Sequence, residues 1–295
     1  MNSTLEVLKR VYKPYKITFL KKVVILNTTS GDFVVKRKEE KDIKELYQYL
    51  ESRSFNHFPS LKDDARSEYN VFEYVPSVSM PIEQKAYDLI NVLSNLHNST
   101  TYYKSVTEDE FKMIFDNIKS NIDYLRNYYE EFYEKTKKEE YMTPSNYLIM
   151  RNISKIFAAL EFCSSELDTW YGMVKEDLKK RVCLIHNNLN LEHFIKNEKE
   201  YLISWEKSRI DTPIIDLVNL YQNEYFNVHF GVLFDKYLEK VHLTEDEKKL
   251  FFLLISLPKK TELNETEFKN CEKARKDLDY LFITEELVRP YYAIK

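Results

Sequence analysis

The chain reads as an α+β protein of two lobes. A small N-terminal lobe of β-sheet plus helix (residues 1–76) precedes a larger, mostly helical C-terminal lobe (77–295). Three observations carry this reading. Short β-rich runs crowd the first 75 residues, long runs of helical periodicity fill most of the remainder, and a strand–loop–strand segment interrupts the helices at 181–206. A length of 295 residues suffices for one large domain or for two lobes sharing a cleft.

Residues 1–12 suit a short helix, with Leu5, Leu8 and Val11 near one face and Pro14 to end it. The runs 16–20, 23–28 and 32–38 follow, separated by Lys21-Lys22 and by Thr29-Ser30-Gly31, so two hairpins are expected. Gly31 supplies the permissive backbone for the second turn. A helix is expected over 39–53, where Ile43, Leu46 (or Tyr47) and Leu50 fall at helical spacing. Residues 68–75 alternate like a strand that Pro76 closes, giving β-β-β-α-β and a lobe hinge near 73–82.

Beyond Pro81 the pattern turns helical. Helices are expected over 86–100, over 107–139 with a stripe from Phe111 to Phe132, and over 144–180 with a stripe from Ile149 to Trp170. The last two form a helical hairpin, and their stripes read as core rather than as a cofactor box. The strand period returns at 181–206, and residues from 213 onward are helical.

Composition narrows the function. Hydrophobic residues make up 43 % and charged residues 31 %, with a net charge of −4 and the signs interspersed, so a dominant basic surface for nucleic acid is disfavoured. Cys163, Cys183 and Cys271 are far apart and odd in number, which fits buried free thiols in a reducing compartment. The N-terminus lacks an apolar signal core and the longest apolar-rich stretch, from Leu250 to Pro258, is too short for a membrane span. A cytoplasmic, membrane-free protein is the expectation. Glycine occurs only at 31, 172 and 231, so neither G-x-G-x-x-G nor G-x-x-x-x-G-K-[ST] can be present.

Several stretches then line up in order: "GDFVVKR" ending near Lys36, a helix with acids, the strand "VFEYV", "LSNLH", "IHNNLNLEHF" and "LISWEKSRIDTPIIDL". This order resembles the aminoglycoside phosphotransferase and choline kinase branch of the protein-kinase-like fold, and within it the spore-coat kinase-like proteins of endospore-forming bacteria. The resemblance is loose over 15–75 and firmer over 86–100 and 182–222. It implies a bilobal kinase-like fold. Against the family pattern H-x-D-x-x-x-x-N this chain has His186, Asn188 and His193; against D-[WF]-E it has Ser204, Trp205 and Glu206; against D-P-x-x-D-L it keeps Asp216.

The resemblance implies a role for each position. Asn188 stands where the base accepts the acceptor's proton, but an amide has no basic lone pair. His193 and Ser204 stand where metal ligands belong, although Mg²⁺ favours carboxylates and oxygen donors. Glu206 either replaces Ser204 as a ligand, or points to solvent or pairs with Lys207 or Arg209. His186 supports the loop, and His193 either ligates or fills the former metal pocket; a transition-metal set would need Glu192 and Glu206 beside the histidines. Lys36 either pairs with phosphates, with Glu45 as its acidic partner, or is a solvated strand-end lysine. Glu73 to Val75 would form the hinge at the adenine, and Asp216 would bond back to the catalytic-loop backbone. Lys21 and Lys22 occupy the turn where relatives cover the phosphates.

The expectation is a kinase-fold pseudoenzyme that binds a protein partner or small ligand, in the cytoplasm or the spore coat, with no cofactor. One alternative is an active small-molecule phosphotransferase using ATP with Mg²⁺ or Mn²⁺ on atypical ligands. The other is a nucleotide or metabolite sensor.

Overall fold

A computed structural model describes residue 6 and residues 9–20, 23–63 and 68–292. The strands in chain order are β1 (Lys16–Phe19), β2 (Val23–Thr28), β3 (Gly31–Arg37), β4 (Leu61–Asp63), β5 (Tyr69–Glu73), β6 (Tyr102–Ser105), β7 (Lys179–Ile185), β8 (Phe194–Lys196), β9 (Glu200–Leu202) and β10 (Arg209–Asp211). The helices, numbered from the first one described in full, are α1 (Ile43–Ser52), α2 (Ile82–Thr100), α3 (Glu108–Thr136), α4 (Pro144–Val174), α5 (Ile214–Glu224), α6 (Phe230–Leu238), α7 (Glu245–Ser256) and α8 (Glu267–Tyr292). The expected helix over 1–12 falls mostly outside the described residues, of which 9–12 are helical; the turn at Lys21 and Lys22 lies outside them altogether.

By packing, the chain divides into two compact units, one of residues 1–101 with 184–210 and one of 102–183 with 211–295. This division follows contacts in space. The 76/77 boundary read from the sequence follows the change from strand to helix along the chain.

The first unit is built on an antiparallel sheet of order β1-β2-β3-β5-β4. Its register sets Ile17 opposite Leu26, Val24 opposite Val35, and Val35 opposite Val71. Strand side chains alternate between faces, so these residues share one face. There Leu26, Val35 and Val71 form a buried cluster against which Tyr12, Ile17, Val24, Phe33 and Tyr69 pack. Lys36 follows Val35 and therefore points to the opposite face, the one it shares with Phe72.

Helix α1 lies against that second face through Tyr47, whose ring is 6.3 Å from Phe72. Ile43, Leu46, Tyr47 and Leu50 are its buried stripe. The helix starts later than the 39–53 expected because Asp42 is its N-cap, its carboxylate accepting from the amides of Lys44 and Glu45 at 2.9 and 3.2 Å. The edge strand β4 was not foreseen; it is three residues long and its pairing with β5 shifts register between Leu61 and Asp63, so it shows no alternation to read.

In the same unit α2 begins at Ile82, four residues before the expected start, because its first turn is polar and gives no periodic signal. Val78 N–H donates to the Lys196 carbonyl at 2.8 Å, and Lys196 Nζ reaches Asp88 Oδ2 at 2.6 Å. These bonds tie α2 and the residues before it to the β8–β9 hairpin, whose register pairs Phe194 with Leu202.

The second unit is mainly helical. Phe111 meets Trp170, Phe115 meets Tyr171 and Arg126 meets Glu161, which makes α3 and α4 an antiparallel pair as expected. Helix α4 ends at Val174 rather than 180, because Lys179 onward joins β7, which pairs with the unforeseen strand β6. Cys163, Cys183 and Cys271 are free; the first two are buried and Cys271 is half-buried. Among the described residues no helix is long and apolar enough to cross a membrane.

Leu26→Ala would leave a void in the sheet's buried cluster. A loss of about 2–5 kcal/mol is expected, read as a lower urea midpoint with an unchanged slope. A loss under about 0.5 kcal/mol, the range of surface substitutions, would show that this face is not tightly packed.

Candidate functional site

The site lies within the first unit. Strand β7 is fully buried toward its end and delivers His186, itself fully buried, to the start of the polar loop. His186 Nε2 donates to the Ile203 carbonyl at 2.8 Å, and its ring lies edge-on to Trp205 at 4.8 Å. The loop is thereby bound to the segment that carries Ser204. Asn187 takes a left-handed backbone (φ 55°) and its Nδ2 donates to the Lys207 carbonyl at 3.1 Å. Asn tolerates that conformation better than most side chains.

Asn188 and His193 are brought together. His193 Nδ1 donates to the Asn188 carbonyl at 2.6 Å, and the His193 amide donates to Asn190 Oδ1 at 2.9 Å. The first bond sets the tautomer and leaves Nε2 as the acceptor of the ring. His193 is thus a loop-closing side chain, with ring centroids 6.1 Å from His186. Glu192 is exposed. Among the described residues no group of three or more His, Cys, Asp or Glu is placed to hold a metal ion.

The centre of the site is Lys36. Its Nζ donates to Glu206 Oε1 at 2.9 Å and to Ser204 Oγ at 3.1 Å. The two residues are 170 apart in sequence and each keeps 20 % of its side-chain surface exposed. Glu45, the acid expected opposite Lys36, is exposed on α1. The reason is the helix register: the buried stripe at 43, 46, 47 and 50 turns position 45 outward. Glu206 pairs across the unit with Lys36.

Electrostatics follow from this geometry. Burial pushes the Glu206 carboxyl up, but the Lys36 charge and hydrogen bond outweigh it, with a further pull from His186, and hold it below the usual carboxylate value. Burial pushes the Tyr47 phenol far up, and the nearby Glu206 charge adds to that. Lys41 closes the same region from the residues before α1: its Nζ donates to Ser208 Oγ at 2.6 Å and to the Ser208 carbonyl, and burial lowers its pKa.

Ser204 itself is left-handed, at φ 68° and ψ 53°. A serine held there stores about 1–3 kcal/mol of strain that its surroundings must impose. They do so from both sides, through the Ile203 carbonyl bonded to His186 and through Trp205, which is buried against Phe55 and donates Nε1–H to the Leu202 carbonyl at 2.8 Å.

Glu73 and Val75, expected to form a hinge, lie inside the first unit. The Glu73 carboxylate accepts from Ser60 Oγ at 2.6 Å, and the amides of Glu73 and Tyr74 donate to the carbonyls of Ser60 and Asp32. Val75 is buried. Asp216 belongs to the second unit, fully buried in the first turn of α5.

Sequence reasoning missed Tyr47, Lys41, Asn187 and Ser208 as members of the site. Tyr47 was legible only as an alternative core position. The Lys41–Ser208 contact spans 167 residues and left no local signal.

The donors present do not suit Mg²⁺. Asn188 and Ser204 are neutral, His193 is a nitrogen donor, and the Glu206 carboxylate is already paired with Lys36.

No family model matches the chain, and no curated protein matches it. Solved structures do. The aminoglycoside phosphotransferase from Alicyclobacillus acidocaldarius subsp. acidocaldarius aligns with a TM-score of 0.66 at 9 % identity, covering 95 % of this chain and 93 % of that one. The AMP-bound spectinomycin phosphotransferase aligns at 0.54 and 13 % identity, covering 99 % and 94 %. The same enzyme with ADP and spectinomycin aligns at 0.54 and 12 %, covering 96 % and 98 %. The chain therefore has the kinase-like fold that these structures share.

Glu206→Gln would leave the Lys36 ammonium half-buried without a counter-charge. A loss of about 1–2 kcal/mol at pH 7 is expected, below that for a fully buried pair. Because the folded pKa of Glu206 lies below its ordinary 4.5, the pair's contribution is complete above pH 4.5 and is lost as pH falls through the folded value. Urea midpoints of the two proteins should therefore converge toward acid pH. A constant gap down to pH 3 would rule out the ion pair as its source.

Proposed function

We propose that this chain is a kinase-fold protein without efficient phosphoryl transfer, which acts by binding a protein partner or a small ligand. The observation that carries the reading is the state of Lys36. The cation available for phosphate is held by Glu206 and by Ser204, the residue standing where the fold's metal carboxylate belongs. A phosphate reaching Lys36 would share its three donors with Glu206 and Ser204, and the Glu206 carboxylate would repel it.

The chemistry of the other positions supports the same reading. A positioned base contributes about 10²–10⁴-fold, and Asn188 cannot act as one. Phosphoryl transfer rests on positioning and on cationic stabilisation of the transferred group, and a neutral hydroxyl and an imidazole are poor holders of the usual metal. With three glycines in the chain, no glycine-rich loop cradles phosphates by its backbone. The matched spectinomycin phosphotransferase is described with AMP and with ADP, so nucleotide binding without reaction is a form of this proposal. A spore-coat location rests on the sequence resemblance alone.

Calorimetry with ATP and either Mg²⁺ or Mn²⁺, alongside a turnover assay with small alcohol acceptors, tests the reading. The expected result is no metal-dependent increase in nucleotide affinity and no product. ATP turnover that disappears in Lys36→Ala would overturn it and favour an enzyme in which Glu206 and His193 hold Mn²⁺. The triple variant Asn188→Asp, His193→Asn, Ser204→Asp is expected to gain metal-dependent nucleotide binding. If that variant folds and still ignores nucleotide, the replacements are not what prevents binding.

A further inference from the structure

A second feature of the first unit lies apart from the residues just described. A cavity of about 590 Å³ opens beside α1, with none of Lys36, Asn188, Ser204 or Glu206 among its walls. Helix α1 contributes Lys44, Tyr47 and Glu51, which follow one another down one side at spacings of three and four. Lys62 comes from β4, an edge strand with a neighbour on one side only. Lys199, in the turn of the β8–β9 hairpin, completes the rim.

The walls differ in character. Tyr47 and Phe58 line the cavity floor, each buried and stacked on the other with ring centroids 4.0 Å apart. Around it stand three ammonium groups, Lys44, Lys62 and Lys199, and one carboxylate, Glu51. Lys62 lies 3.8 Å from Glu73, but both side chains are about half exposed, at 45 % and 50 %. Such a pair is weak, so Lys62 can turn to a ligand at little cost. The volume falls within the ~300–1,000 Å³ range of small-molecule sites, which combine apolar walls with a few placed polar groups.

We propose that this cavity binds a small anion, phosphate or carboxylate, joined to an apolar body. The body lies against Tyr47 and Phe58 at the floor, and the anion is met by Lys44, Lys62 and Lys199. The proposal does not rest on the reading of the Lys36 site. The two places share one residue, because Tyr47 walls the cavity with its ring while its phenol lies within the field of Glu206.

The test is an NMR titration of the full chain with 1-naphthyl phosphate and with 1-naphthoate, the neutral 1-naphthalenemethanol serving as control. Saturable shifts are expected at Phe58, Lys62 and Lys199 for at least one anion, and the tighter of the two identifies the headgroup. The exposed-site variant Lys62→Gln/Lys199→Gln should weaken that anion about three- to tenfold, and added salt should weaken it further. Phe58→Leu, which keeps an apolar side chain there, should weaken it about two- to tenfold. Lys36→Ala should leave it unchanged. Absence of shifts at millimolar anion, equal binding of the neutral alcohol, or binding that is lost in Lys36→Ala yet intact in the double lysine variant would each overturn the proposal.

Discussion

The polar site of the first unit is organised around one charged contact, the Lys36 ammonium shared between the Glu206 carboxylate and the Ser204 hydroxyl. Lys36 comes from the middle of the sheet, and its two partners come from the short turn after the β8–β9 hairpin. A partly buried ammonium needs a counter-charge and acceptors. Meeting that need sets the position of the turn, and the turn in turn sets Ser204 into a left-handed backbone. Around it, Lys41 on Ser208, Asn187 on Lys207 and Trp205 under His186 fasten the same few residues from three more directions. So many bonds on one short segment explain how a serine keeps a conformation it would not choose alone.

The polar loop serves the same end by different means. Its two histidines are used inside the protein: His186 bonds to the carbonyl just before Ser204, and His193 bonds to the carbonyl of Asn188. Both are hydrogen bonds from imidazole to backbone, which hold the loop whatever side chain stands at 188. The loop's shape is thus independent of the side chain at 188. A fold shared with phosphotransferases at 9 to 13 % identity is compatible with that independence, since a fold does not by itself carry its usual reaction.

The second unit is held by apolar area and by aromatic side chains with polar ends. Tyr128 and Tyr129 donate to the carbonyls of Thr261 and Lys259, while the Lys259 ammonium lies 4.3 Å from the Tyr280 ring centroid. Arg181 and Glu247 form a two-bonded pair that is nearly buried, and Glu247 also accepts from the Thr244 amide to cap α7. These contacts give the abundance of tyrosine a structural use, fastening loops to helices where a phenylalanine would leave carbonyls unmet.

The sequence by itself determined what depends on neighbours along the chain. Periodicity located the strands β1, β2, β3 and β5, the stripes of α3 and α4 and the stripe of α1, and residue order made the phosphotransferase fold legible. It also showed which residue types occupy 188, 193 and 204. The short strands β4 and β6 escaped because three or four residues carry too little pattern, and helix ends moved where a cap such as Asp42 or a polar first turn decided them. Only the tertiary structure decided the partner of Lys36. Glu45 follows closely in sequence but sits on the outer side of α1, whereas Glu206 is 170 residues distant and adjacent in space. Charges choose partners by distance and burial, and neither is written in local sequence.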